Sequence, residues 1–374
     1  IAQCLVGSEM CIRDRVTDNV TKFVTEEKAR SLHRSIAKRN DVIVTISGTL
    51  GQIAYIPENS MFEEYLCSQR QFRVSFDTER VFVPYLVYYF HSREGQHKIL
   101  SFANQTGVPA LSQPLKNFRN IEVDLPDIDT QKQIASVMLS LDDKIELNTA
   151  INENLEQQAQ ALFKAWFVDF EPFGGVMPDD WRMGTLSEIC GYSKDKVDID
   201  NLTLDTYYST ENMQPNRQGA VQATTLPTIK QTTACKKGDV LISNIRPYFK
   251  KILYCFSNCG CSTDVLCFVP NKTDYSAFLY CALYADKFFD YMVAGSKGTK
   301  MPRGDKQQIM VYPICIPSAE YIEKFNQAVA PMLETVYTNR IEANNLANLR
   351  DTLLPKLMNG EILSLIHISE PTRH

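Results

Sequence analysis

Two tracts of this chain repeat one another without a gap. With Pro126 placed on Pro317, an offset of 191 residues holds for some forty residues. Gln131 to Phe167 carries helix formers and neither proline nor glycine. Alternating steps of four and three pick out Ile134, Met138, Leu141, Ile145, Asn148, Asn152, Leu155, Ala159, Leu162 and Trp166, the seam of a coiled-coil-like helix. The second copy reads Phe325, Val329, Met332, Val336, Asn339, Ala343, Leu346, Arg350, Leu353 and Leu357. A helix of this length spans about 55 Å at ~1.5 Å per residue, and its narrow apolar stripe needs a cover. Its duplicate is the nearest partner. Antiparallel pairing predicts layers of 134 with 357, 141 with 350 and 152 with 339, which sets Arg350 beside Leu141, flanked by Asp142 and Asp143. Parallel pairing puts Arg350 against Ala159 among glutamines, and an unpaired buried charge costs several kcal/mol. Antiparallel is the expectation, with Leu141, Ile145, Asn152, Leu155, Asn339, Leu346, Arg350 and Leu353 as the pairing residues.

Length bounds what surrounds these helices. At 374 residues with 44% apolar content, the chain supports two cores, giving an α+β class with two mixed α/β globules in tandem. The net charge of -5 makes any surface for nucleic acid local rather than global. The chain holds no run of eighteen apolar residues, so no membrane span is expected. Eleven irregularly spaced cysteines fit a reducing cytoplasm.

The repeat extends beyond the helices. Arg39 to Pro57 reads as a strand, a glycine-bearing turn and a second strand, and Lys237 to Cys255 is its counterpart, with Asp41 and Val42 matching Asp239 and Val240. A further strand follows in each copy, from Cys67 and from Cys261. Next comes one aromatic helix per copy, Pro84 to Leu100 and Tyr275 to Met292, whose aromatics at helical spacing read as core rather than as a base-stacking platform. A glycine loop (Ala103 to Gln113, Ala294 to Gly304) leads to an alternating strand at Ile121, Val123, Leu125 and at Tyr312, Ile314, Ile316. The expected organisation is a non-native tail at 1–15, a first globule at 16–125 that lacks its beginning, helix and linker at 126–172, a second globule at 173–316, a second helix at 317–362 and a non-native tail at 363–374.

The order of a G-D-V-L-type strand, aromatic helix, glycine loop, L-P-x-x-x-x-Q-x-x-I and long helix, twice over, resembles the specificity subunit of type I restriction-modification systems. Leu125, Pro126, Gln131 and Ile134 carry that motif; the second copy departs from it, with Ile322 at the glutamine position. The resemblance implies that each globule is a target recognition domain reading one half of a split site on double-stranded DNA. It implies further that the two helices pair as an antiparallel coiled-coil spacer. They would dock two modification (methyltransferase) subunits and, through them, restriction subunits.

DNA contacts are expected where cations cluster. Lys236, Lys237, Arg246, Lys250 and Lys251 surround the hairpin of the second copy, and Lys297, Lys300 and Arg303 lie in its glycine loop. Arg246, Asn244 and Arg303 have the bidentate chemistry of base readers, and Tyr248 sits between cations, placed to stack on a base. A solvated lysine-rich surface is the plainer reading of the same residues. In the first copy Arg70, Arg73, Gln105 and Gln113 are weaker candidates, because that loop carries no cation.

No catalytic constellation emerges: no cofactor turn, amino-methylation box, P-loop or zincin pattern is present, so no cofactor and no enzymatic activity are expected. Cys255, Cys259, Cys261 and Cys267 lack the spaced C-x-x-C knuckles of zinc sites, so no metal is expected either. A coiled-coil interaction scaffold without DNA binding is the alternative, supported by the acidic charge and the aromatic helices. An enzyme fusing recognition with methylation lacks the chemistry. Charge reversal at Arg246 together with Arg303 is expected to abolish half-site binding; affinity retained at physiological salt would count against this placement.

Overall fold

The computed structural model describes residues 11–12, 14–16, 23–104 and 109–362. It divides into two compact units: residues up to Glu146 with those from Ala343 onward, and Leu147–Glu342. The boundary falls inside both long helices, Ile128–Phe167 and Ala319–Met358, each of 40 residues. Each long helix therefore contributes one segment to each unit. The first begins at Ile128, earlier than Gln131, because the Asp127 carboxylate accepts the backbone N–H groups of Asp129 (3.1 Å) and Thr130 (2.9 Å) and caps it.

The duplicated strands keep one register. In the first unit Val42–Thr45 lies between Ile53–Tyr55 and Gln71–Val74, antiparallel to both, and in the second Val240–Ser243 lies likewise between Ile252–Tyr254 and Val265–Pro270. Val42 faces Tyr55 and Val74; Val240 faces Tyr254 and Phe268. The turn before each central strand is duplicated too. Asn40 (φ 67°) and Gly238 (φ 94°) are left-handed, and the carboxylates of Asp41 and Asp239 accept the N–H groups of Lys38 (2.9 Å) and Lys236 (2.7 Å). The first sheet also contains Arg15–Val16, beside Tyr55, and the Arg15 guanidinium lies on Asp143 at 2.7 Å and on Glu146. The second unit adds a sheet ordered Lys196–Asp198, Gln231–Cys235, Cys259–Cys261, Tyr207–Tyr208.

Two expectations need correction. Each aromatic helix is two short ones, Val83–His91 with Arg93–Leu100 and Ser276–Tyr284 with Asp286–Ala294. Extended backbone at Ser92 and Ala285 breaks them, and the Ser92 hydroxyl caps the next helix by accepting the Gly95 N–H. The strand expected at Ile121–Leu125 does not form, while Pro313–Ile316 pairs with Arg182–Thr185. Among the described residues no segment pairs with the former, and an unpaired extended segment makes no ladder. On the second helix Leu354 and Leu357 are buried in the first unit, and Leu353 is half-buried against the same cluster. A straight helix drifts ~20° per heptad from a 3.5-residue repeat, so a stripe covered by a domain core moves on by a residue.

The motif glutamine acts as a clasp. Gln131 is 1% exposed; its Oε1 accepts the Phe82 N–H (2.9 Å), and its Nε2 donates to the carbonyls of Arg80 (3.0 Å) and Pro126 (2.9 Å). It ties the loop before the aromatic helices to the start of the long helix. Ile322 holds the matching place by packing into the second core, which contains Phe278, Phe289 and Phe325.

Contacts between the long helices run in antiparallel order within each unit. In the first, Ile134 and Met138 share a cluster with Leu354, Leu357, Tyr85 and Tyr88, with Leu141 packed against it. Arg350 lies on Asp142 at 2.5 Å, and the Tyr88 hydroxyl donates to the same carboxylate at 2.7 Å. In the second, Asn339 donates to Asn152 Oδ1 (3.0 Å), Asn148 to the Glu342 carboxylate (2.7 Å), and Arg340 meets Glu156 at 2.7 Å. Ile145, Leu155 and Leu346 are half-buried. Asp142 is 2% exposed, so Arg350→Met strands a carboxylate in the interior. The expected loss is about 3–5 kcal/mol in a denaturant titration, largely recovered by adding Asp142→Asn; a loss below ~1 kcal/mol would show that the pair is solvated.

Candidate nucleic-acid interface

The turn between Val240–Ser243 and Ile252–Tyr254 is one residue longer than its duplicate and far more basic. Two of its positions are left-handed, Arg246 (φ 50°) and Lys250 (φ 50°), flanking a 3-10 turn at Pro247–Phe249. The matching positions of the first unit are Gly48 (φ 92°) and Gly51 (φ 81°). A side chain in this region costs about 1–3 kcal/mol where glycine costs little. Asn216 (φ 53°) and Arg217 (φ 63°) are left-handed as well, and their N–H groups donate to the carbonyls of Phe249 (2.8 Å) and Lys250 (3.0 Å). Four strained non-glycine residues thus meet at one turn.

The glycine loop joins the same place. Ile245 bridges Arg303, the Arg246 N–H donates to the Pro302 carbonyl (2.8 Å), and Gly304 donates to the Asn244 carbonyl (3.3 Å). A second bridge, Lys297 to Arg303, folds the loop around Gly298 (φ 102°). The turn that carries Arg246, Lys250 and Lys251 therefore adjoins the glycine loop, whereas Lys236 and Lys237 precede the central strand and lie at its other end. Tyr248 is 49% exposed on that turn, with its ring 4.8 Å from that of Phe249. Asn244 is the exception and corrects the expectation that it reads bases. It is 8% exposed, and its Oδ1 would stand 2.8 Å from a Cβ on Gly304, too close for any residue but glycine there.

Most of these cations are held within the protein. Lys250 (2.6 Å) and Arg217 (2.5 Å) share the Asp286 carboxylate, and Arg217 also donates to the Tyr284 carbonyl (2.9 Å) and covers the Tyr284 ring. Those two donors, Arg217 foremost, pull the Asp286 carboxyl down to about 2. The Lys251 ammonium donates to the Thr210 carbonyl (2.6 Å), and burial lowers its affinity for protons. Lys297 pairs with Asp305 (2.6 Å), Arg303 with Asp264 (3.0 Å), Lys236 with Asp195 (2.7 Å) and Lys237 with Glu334 (3.5 Å). Among the described residues, Arg246 and Lys300 meet no carboxylate. Asp264 and Thr210 also line a cleft of about 380 Å³ with Ser209, Asn212 and Ser262. Arg217 and Asp286 escaped sequence reasoning because they lie outside the repeated hairpin and loop and carry no motif.

The first unit repeats the geometry without the charge. Ser47 bridges Ala110, and Gly48 donates to the Pro109 carbonyl (3.1 Å). Arg70 is exposed, its carbonyl accepting the Ile46 N–H (2.8 Å), while Arg73 is held by Asp41 at 3.4 Å. Gln113 is exposed and left-handed (φ 40°), and Gln105 lies outside the described residues. The nine cysteines from Cys67 to Cys315 are free and buried; Cys235, Cys255, Cys259, Cys261 and Cys267 share one apolar cluster. Among the described residues no group of three His, Cys, Asp or Glu is set to hold a metal ion, and no helix is long and apolar enough to cross a membrane.

The chain matches the family model described as type I restriction modification DNA specificity domain twice, over residues 14–157 and 178–350. It is 24% identical over 375 residues to the MjaIX type I restriction enzyme specificity subunit of Methanocaldococcus jannaschii, covering 91% of this chain and 81% of that one. It is 25% identical over 324 residues to the HindI specificity subunit of Haemophilus influenzae, covering 65% of this chain and 69% of that one. The crystal structure of the type I restriction-modification S subunit from M. genitalium has the same fold, with a TM-score of 0.58 at 16% identity over 86% of this chain and 83% of that one.

A pH test follows from Asp286. Its carboxyl is depressed in the folded state, so its contribution to stability is present above the unfolded value of ~3.9 and is lost as pH falls toward 2. Melting temperatures measured from pH 6 to pH 2 are expected to fall less steeply in Asp286→Asn than in the unaltered chain; parallel curves would show that the bridge adds nothing.

Proposed function

We propose that this chain, which belongs to the family of type I restriction modification DNA specificity domains, is the non-catalytic specificity subunit of a cytoplasmic restriction-modification complex and reads a bipartite site on double-stranded DNA. One observation carries the reading: the family model matches both copies, and each copy repeats the same bridge between hairpin turn and glycine loop. Two unlike turns on one scaffold suit two unlike half-sites. Glycines line the turn of the first copy, and Arg246, Tyr248 and Lys250 that of the second.

In this reading the long helices serve as spacer and as docking surface. Their polar contacts, Asn152 with Asn339 and Asn148 with Glu342, fix a single register, the use for which a polar step in an apolar seam is best suited. Leu147, Ile151 and Ile341 in the second unit and Leu349 in the first are large apolar side chains left exposed on these helices. They are the surface on which we place the two modification subunits, and the restriction subunits join through those. Methyl transfer and cleavage then belong to the partners.

The test is a length change. One heptad inserted into each long helix lengthens it by ~10.5 Å, about three base pairs. The assembled complex, challenged with random duplexes and sequenced, is expected to select the same half-sites with a longer gap. An unchanged gap defeats the spacer, and selection of no sequence at all favours a protein-interaction scaffold.

A further inference from the structure

The strained turn of the second unit sorts its cations into two groups. Lys250 and Arg217 are tied to Asp286, and Lys251 to the Thr210 carbonyl, so their charges hold the turn rather than face outward. The strap at Asn216 and Arg217 completes the brace by donating its N–H groups to Phe249 and Lys250. Arg246 is different. Its N–H is fixed on the Pro302 carbonyl at 2.8 Å, while its guanidinium meets no carboxylate or carbonyl among the described residues.

Nothing in the backbone asks for arginine at this position. The first unit makes the same turn with Gly48, and glycine is the residue that a φ of 50° favours. A half-buried side chain that costs strain and makes no polar bond to the described residues is accounted for by what it does outside the protein.

We infer that Arg246 is the specificity-determining contact of the second domain, donating from its planar fork to a guanine edge, and that Asp286, Arg217 and Lys250 are positioning residues that hold it there. The inference deepens the DNA-reading function proposed above and rests on it. A braced turn has already lost its conformational freedom before DNA arrives, so the guanidinium is presented at little further entropic cost. Exposed Tyr248 lies two residues away in the same turn.

The experiment uses the full chain assembled with its modification subunits, with Arg246→Gly and Arg246→Lys beside the unaltered protein. Melting temperature is read together with sequence selection from a pool of random duplexes. Arg246→Gly is expected to melt at or above the unaltered temperature, because the strain is relieved. It should lose roughly tenfold or more in affinity and its preference at one base pair of the second half-site, with the first half-site unchanged. Arg246→Lys should keep part of the affinity but relax that preference, since an ammonium lacks the fork. Unchanged selection by Arg246→Gly would overturn the inference and leave the bipartite reading standing. A lowered melting temperature with both half-sites weakened would also overturn it, by making Arg246 structural. If the unaltered complex selects no sequence, the proposed function itself falls, and this inference with it.

Discussion

Asp142 is a carboxylate with almost no access to water, held between the guanidinium of Arg350 and the hydroxyl of Tyr88. Those three groups belong to the first long helix, the second long helix and the aromatic helix of the first domain. Two charges and a phenol out of water are stable only while all three stay together, because each lost partner leaves an uncompensated group behind. The contact therefore fixes which stretch of one helix meets which stretch of the other, something that interchangeable leucines do poorly. In the second unit the same work falls to Asn152 with Asn339 and to Asn148 with Glu342, so each half of the helix pair carries its own polar lock.

A framework fixed in this way lets the turns diverge. Both units hold a central strand between two antiparallel neighbours in one register, and both bond the glycine loop to the residues just after that strand. The scaffolds thus match at the central strand and at its bridge to the glycine loop. They differ at the tip, where one carries glycines and the other cations in a backbone conformation that suits glycine. Divergence at exposed turns on a repeated core is what reading two different sequences requires, since specificity lives in side chains that reach base edges while the framework supplies position.

Much of this was legible in the sequence for one physical reason: a gapless duplication makes every pattern readable twice. The offset between Pro126 and Pro317 located both long helices, and the position of Arg350 relative to Asp142 chose their direction. What escaped was set by tertiary partners. The break at Ser92 depends on a cap to Gly95, and the missing strand at Ile121–Leu125 on a neighbour that supplies no ladder. The burial of Asn244 depends on the close approach of Gly304, and the bridge of Arg217 to Asp286 joins residues 69 apart that share no motif. Ile322 in place of glutamine looked like a weakened motif; it marks a position where packing replaces a hydrogen-bonded clasp.

In the function proposed above, this chain is a single reader whose two heads differ in chemistry and whose half-sites lie a set distance apart. The most direct measurement is the sequence bound by the unaltered chain, assembled with its modification subunits, from a pool of random duplexes at physiological salt. Two short specified tracts, unlike one another and separated by a fixed run of unspecified base pairs, are the expected result. One continuous tract, two identical tracts or a gap of variable length would contradict it.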